Sequence, residues 1–381
     1  MAYNRHMKPI AVYVHWPYCR KKCPYCDFNS HVTDSVDHDA WRDAYAREIE
    51  YYAQTLGKRH VTSIFFGGGT PSLMEPQTVS YVIDILSKIW SVDANVEITL
   101  EANPTSIEAG KFSDFRNAGV NRVSVGIQSL RDEQLQFLGR EHNADEALKA
   151  LNIANQTFER VSFDLIYARP GQGMDEWHDE LVQALQYAKG HMSLYQLTIE
   201  DGTQFKTLRD SGRLTELDND IAGDMYLMTA DMMADHGMPA YEISNYAALG
   251  QESRHNLAYW RYADYVGIGP GAHGRITLPD NTKMATRTHK APDIWMDNVT
   301  NHGHGAKPFV PLDNLTQIEE RLMMGMRLNE GVDVTDINLD MDSLNPLFDG
   351  GILFMRDKRL FVSPQHWPIL DSVIAKVLMA L

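Results

Sequence analysis

Cysteine is scarce: three in 381 residues, Cys19, Cys23 and Cys26, all within eight consecutive positions. So few clustered thiols cannot make a disulfide framework, and their grouping points to metal binding in a reducing compartment. Long apolar runs are lacking too. None approaches the ~18 residues that span a bilayer, so a soluble protein is expected. Positive charge is in deficit, with 35 Lys and Arg against 51 Asp and Glu and a formal net charge of -16. That balance excludes a basic nucleic-acid face and gives no reason for adhesion to anionic lipid. Met1-Ala-Tyr-Asn-Arg-His-Met-Lys8 has no apolar stretch before a small-residue cleavage site, so the cytoplasm is expected. Small molecules and proteins are the expected partners.

What the chain does have is a repeated pattern. Short β-branched or aromatic runs at 10–15, 62–66, 96–100, 122–127, 161–166 and 193–198 alternate with amphipathic stretches at 40–55, 77–90, 107–118, 145–158, 174–187 and 220–236. A further strand is expected at 240–243. Such alternation predicts parallel βαβ units, an α/β fold closing into a partial (β/α)6 barrel over 10–244 after a tail at 1–9. Functional side chains then belong just beyond the carboxyl ends of the strands. The stretch 245–313 reads as a glycine-rich loop and linker with one short helix at 293–300. Residues 314–381 read as helix, hairpin and helix, a small winged-helix-like α+β domain serving as a cover or docking module.

The run Cys19-Arg-Lys-Lys-Cys23-Pro-Tyr-Cys26 follows the first expected strand. Three thiolates on one wrap suit a [4Fe–4S] cubane, and with no fourth cysteine one iron is left for an exogenous ligand. The alternative is a Cys3His zinc site completed by His15 or His31. After the second strand, Phe66-Gly-Gly-Gly-Thr-Pro71 lets bare backbone approach a ligand, although a tight turn explains such a run equally. Glu101, Gln128 and Asp164 end three successive strands. Each taken singly is more often a solvated or structural residue. Arg254-His-Asn-Leu-Ala-Tyr-Trp260 sets an imidazole beside two large rings. Those types suit a porphyrin, and equally a packed surface loop.

His15-Trp-Pro-Tyr-Cys19 through Cys26-Asp-Phe-Asn-Ser30 resembles the signature of the radical S-adenosylmethionine (SAM) superfamily, in its coproporphyrinogen-dehydrogenase-like branch. Within it, the Cys-Pro-Tyr-Cys-Asp-Phe-Asn-Ser form is similar to the haem chaperones of the HemW type. The resemblance runs from Ala11 to the C-terminal helix. It implies that Cys19, Cys23 and Cys26 hold the cluster. It also implies that Tyr13, Tyr25, Gly68, Gly69, Thr70, Glu101, Gln128, Arg140 and Asp164 contact SAM. His255-Asn-x-x-Tyr259-Trp260 matches an element of the haem chaperones, which makes His255 the expected iron ligand, shaped by Asn256, Tyr259 and Trp260. His273 is a weaker candidate, and one of the 18 methionines a candidate second ligand.

The dehydrogenases continue their cluster motif to a further cysteine where this chain has Phe28. The implied function is therefore haem binding and transfer to acceptor proteins, some of them at membranes. Oxygen-independent coproporphyrinogen III dehydrogenation is the alternative. SAM cleavage belongs to the scaffold, with Arg20, Lys21 and Lys22 available to steer an acidic donor such as a flavodoxin.

Overall fold

The computed structural model describes residues 7–33 and 35–381. The tail expected at 1–9 lies outside the described residues up to residue 6, and Lys8 and Pro9 already belong to the first strand. Six parallel strands follow in chain order: β1 (Lys8–Trp16), β2 (Arg59–Gly68), β3 (Ser91–Ala102), β4 (Arg122–Gln128), β5 (Arg160–Tyr167) and β6 (His191–Gln196). Each is joined to the next by helix on the outside, the arrangement that right-handed βαβ crossovers produce. The expected partial (β/α)6 barrel is thus present.

Alternation along β1 explains how the sheet is buried. Val12, Val14 and Trp16 are fully enclosed on the helix side, where Trp16 meets Trp41 of α1 (His38–Leu56) at 5.2 Å between ring centroids. Tyr13 and His15, offset by one residue, turn the other way, because side chains in a strand alternate between faces. The same alternation on β3 gives Ile98 and Leu100 to the apolar core and Glu97, Thr99 and Glu101 to the barrel interior. Asp37 caps α1 by accepting from the Ala40 amide, and Asn143 with Glu146 makes a capping box at Ala144–Thr157. These caps satisfy amide groups that a helix start otherwise leaves bare. The helix expected at 107–118 is split into Ser106–Ala109 and Phe112–Asn117.

Two expectations fail beyond β6. The strand placed at 240–243 is absent; only bridges at Ala240 and Glu242 occur there, and β7 (Asn245–Ala247) runs antiparallel to β6. The stretch read as loop and linker contains β8 (Tyr265–Ile268), β9 (His273–Thr277), β10 (Lys283–Arg287) and β11 (Val310–Pro311). β8 pairs in parallel with β1, and the other three extend the sheet antiparallel. The sheet has eleven strands, with β1 internal rather than at its edge. Glu48 of α1 fixes this addition from inside: its carboxyl accepts from the amides of Gly269 (2.7 Å) and Gly305 (2.8 Å) and from the Trp295 indole (2.9 Å).

Residues 314–381 form a second apolar core around Leu322, Met326, Leu360, Trp367 and Ile374, joined by Tyr226 from the barrel. Its strands Leu353–Arg356 and Arg359–Val362 form a hairpin. Asp357 and Lys358 both have positive φ there, as a two-residue turn that matches strand twist requires. The helix–hairpin–helix order is that of a winged-helix-like module.

Candidate functional site

Where β1 ends, the chain runs through a two-residue strand, Tyr18–Cys19, into the cysteine loop. The Gly-rich loop after β2 braces it from beside. The Gly69 amide donates to the Trp16 carbonyl at 2.7 Å and the Thr70 amide to the Tyr18 carbonyl at 2.9 Å. Gly68 has φ +115°, and a Cβ there would meet the His15 ring at 2.5 Å. Glycine is therefore required by the close approach of this loop to the cysteine strand, a reason the motif alone does not reveal.

Cys19, Cys23 and Cys26 line one cavity of about 150 Å³ with Tyr25, Gly68, Gly69, Thr70, Glu101, Gln128, Arg140 and Asp164. Eight of the nine residues expected to contact SAM are thus brought together. Thr70 Oγ1 donates to Cys19 Sγ at 3.3 Å, and Arg140 Nη1 lies 3.5 Å from Cys23 Sγ. The Arg140 fork is held by Asn103 Oδ1 (2.6 Å) and the Gly126 carbonyl (2.8 Å), while its buried Nε has no partner among the described residues. Asn103 also donates to Thr70 Oγ1 at 3.2 Å, and Ser124 donates to Asp164 at 3.3 Å. Sequence reasoning missed both Asn103 and Ser124; their signal was the inward register they share with Glu101 and Gln128.

The donor set fits the expected group. Among the described residues no three His, Cys, Asp or Glu side chains gather tightly enough for a single ion. A cubane does not require that, since each thiolate takes its own iron. Of the two imidazoles in the zinc alternative, His15 is engaged at both ring nitrogens and His31 at one. His15 is engaged at Nδ1 by the Tyr13 hydroxyl (3.0 Å) and at Nε2 by the Asn29 carbonyl (2.8 Å), and His31 Nε2 lies 3.3 Å from Asn29 Oδ1. Burial pushes the Glu101 carboxyl up to about 8, with the charge on Asp164 adding to it, and pushes Asp164 up to about 6. Both end at the cavity, available to hydroxyl or ammonium groups.

Tyr13 departs from expectation. It lines a neighbouring, larger cavity of about 760 Å³ with Phe28, Tyr195, Tyr259, Trp260, Tyr265, His273 and Met324. Phe28, Gly68 and Glu101 belong to both spaces. Asn256, Tyr259 and Trp260 line this second cavity, but His255 does not. Its ring is buried lower in the barrel, 4.8 Å from the Phe65 ring, with Nδ1 on Ser63 Oγ (2.9 Å) and Nε2 on the Tyr259 hydroxyl (2.6 Å). Its backbone amide donates to Glu97, which also binds Arg160. The short helix Arg254–Trp260 turns positions i and i+4 inward together. Both ring nitrogens are thereby occupied, and burial pushes the imidazole down to about 3. In this structure the expected iron ligand is hydrogen-bonded to Ser63 and Tyr259 and does not line the larger cavity.

A family model described as the radical SAM superfamily matches residues 13–184. The mitochondrial "Radical S-adenosyl methionine domain-containing protein 1" of Mus musculus is 39% identical over 97% of this chain and 87% of its own length. The heme chaperone HemW of Escherichia coli is 39% identical over 76% of each chain. The chain belongs to the radical SAM superfamily, in its HemW-type branch. Among solved structures, the coproporphyrinogen III oxidase HemN of Escherichia coli superposes on this HemW-type chain with TM-score 0.81, covering 98% of it and 91% of HemN at 22% identity. That likeness establishes the shared fold. No helix among the described residues is long and apolar enough to cross a membrane.

Proposed function

We propose that the chain is a haem-trafficking protein that binds a [4Fe–4S] cluster, SAM and haem and passes haem to acceptor proteins. The observation that carries the reading is its 39% identity to the heme chaperone HemW of Escherichia coli. The larger cavity beside the cysteines, rich in aromatic side chains, supports it, since flat apolar walls suit a tetrapyrrole face.

Cys19, Cys23 and Cys26 would hold three irons of the cluster. Tyr25, Gly68, Gly69, Thr70, Glu101, Gln128, Arg140 and Asp164 would seat the nucleotide and methionine ends of SAM. A reduced cluster supplies the electron that cleaves a sulfonium; the chain's part is to orient the two groups and keep water from them. Arg20, Lys21 and Lys22 are exposed and form no ion pair among the described residues, which suits docking of an acidic electron donor of the flavodoxin kind. Haem acceptors include membrane-associated proteins in this reading. Free thiols call for a reducing compartment, and the cytoplasm is the placement proposed here.

The alternative, coproporphyrinogen III dehydrogenase, is favoured by the fold shared with HemN and opposed by Phe28, which is 59% exposed where that reading wants another thiol. Anaerobically reconstituted protein is to be supplied with coproporphyrinogen III, reductant and SAM, and in parallel titrated with haem. Saturable haem binding without turnover is expected. Steady formation of protoporphyrinogen would overturn the proposal.

A further inference from the structure

The larger cavity contains groups that the packing of the protein leaves unused. Glu242, fully buried at its wall, faces the Asn245 side chain and the backbone amides of Ile243, Ser244 and Asn245, but none of these contacts closes to full hydrogen-bond geometry among the described residues. A carboxyl in such a setting is costly unless a guest or trapped water completes it. His273 begins β9 at the same cavity and is exposed, with no hydrogen bond to its ring among the described residues. The contrast with His15 and His255 is direct, since those rings are engaged at both nitrogens.

The backbone beneath His273 is firmly held. The Gly269 amide is bound by Glu48 and its carbonyl by Thr288 Oγ1 at 2.6 Å. Asn29 Nδ2 donates to the Pro270 carbonyl at 2.9 Å, and the Gly271 amide donates to the His289 carbonyl at 2.8 Å. A free imidazole on a fixed perch is the arrangement a ligand-binding residue needs, because little ordering remains to be done on binding. Its surroundings are cationic. Arg287 lies directly across the β9–β10 ladder from it, and partial burial first, then the charges of Arg275, Lys290 and Arg287, disfavour a protonated ring. Arg275 is committed to Glu320. Arg287 and Lys290 are exposed and make no ion pair among the described residues.

We propose that the larger cavity is the haem seat and that His273 is its iron ligand, with Arg287 and Lys290 receiving the propionates. A neutral imidazole binds iron, guanidinium and ammonium groups bind carboxylates, and Tyr259, Trp260 and Tyr265 supply flat walls. The assignment rests on the haem-binding reading and replaces His255 as the ligand within it.

The test uses the full-length chain, titrated with haem as wild type, His273→Ala and Arg287→Glu. Iron ligation is read by resonance Raman and electron paramagnetic resonance. Because His273 is exposed and makes no internal bond, its loss leaves folding intact. The expected result is loss of the iron–imidazole signature in His273→Ala, affinity lowered on the order of tenfold or more, and restoration of the signature by added imidazole. Arg287→Glu is expected to weaken haem binding while keeping the signature. If His273→Ala retains wild-type ligation, the assignment is overturned while haem trafficking stands. If the wild type shows no saturable haem binding, the trafficking reading itself fails.

Discussion

Raising the pH of the empty protein should weaken its fold through Glu101. Burial and the charge on Asp164 hold this carboxyl up at about 8 against an ordinary 4.5. Asp164, at about 6, ionises first and so makes Glu101 harder to ionise. The folded state therefore binds the Glu101 proton more tightly than the unfolded chain does. The stabilisation is complete below the unfolded value and is lost as pH climbs toward the folded one. The ideal slope is about 1.4 kcal/mol of stability per pH unit between those limits. Both carboxyls face an open cavity, and solvent there reduces the slope to roughly 0.5–1 kcal/mol per unit.

Glu101→Gln removes the titration and keeps an oxygen for the Gly68 amide, which Glu101 now holds at 3.2 Å. Urea midpoints of wild type and variant, measured from about pH 5 to about pH 8, should diverge by that difference in slope. Glu48 and Glu242, both raised to about 7, add slopes of the same sign to both proteins and cancel in the comparison. Parallel lines would refute the reasoning, since Glu101 would then titrate as an ordinary carboxyl.

Arg169 and Glu180 form a fully buried pair at 2.5 Å, with Glu180 also accepting from Ser129 Oγ and the Leu130 amide. Arg169→Met should cost roughly 3–5 kcal/mol by stranding the carboxylate, measured by urea unfolding. SAM affinity should fall as well, because the same bonds hold the turn after Gln128. Gly68→Ala forces a methyl into the His15 ring at positive φ. Destabilisation of at least about 1–3 kcal/mol is expected, with lower iron content after reconstitution. Cys26→Ser should abolish the broad absorbance at roughly 400 nm that reconstituted cluster gives, and circular dichroism should show the fold retained. An undiminished band would remove Cys26 from the ligand set.

The barrel was legible because its six strands are long, β-branched and separated by capped amphipathic helices. β8 to β11 were not. They have two to five residues each, sit among glycines and turns, and gain their pairing from a chain of neighbours that starts with β8 on β1 rather than from their own periodicity. The cluster cavity could be read from spacing and strand ends, since a parallel barrel collects those ends whatever the connecting helices do. Tyr13 lines the larger cavity and not the cluster cavity, since knowing that a residue faces inward does not say which of two adjoining cavities it reaches. His255 shows a different limit. Its motif is conspicuous, yet Ser63 and Glu97, which immobilise it, lie more than a hundred residues away and become neighbours only through the register of β2 and β3.

Phe28, Gly68 and Glu101 form a party wall between the smaller and larger chambers. Two compounds lodged on opposite sides of it would touch the same three residues, which gives any coupling between their affinities a direct route. Thermodynamic reciprocity then applies: whatever factor a nucleotide lends to tetrapyrrole binding, the tetrapyrrole must return to the nucleotide.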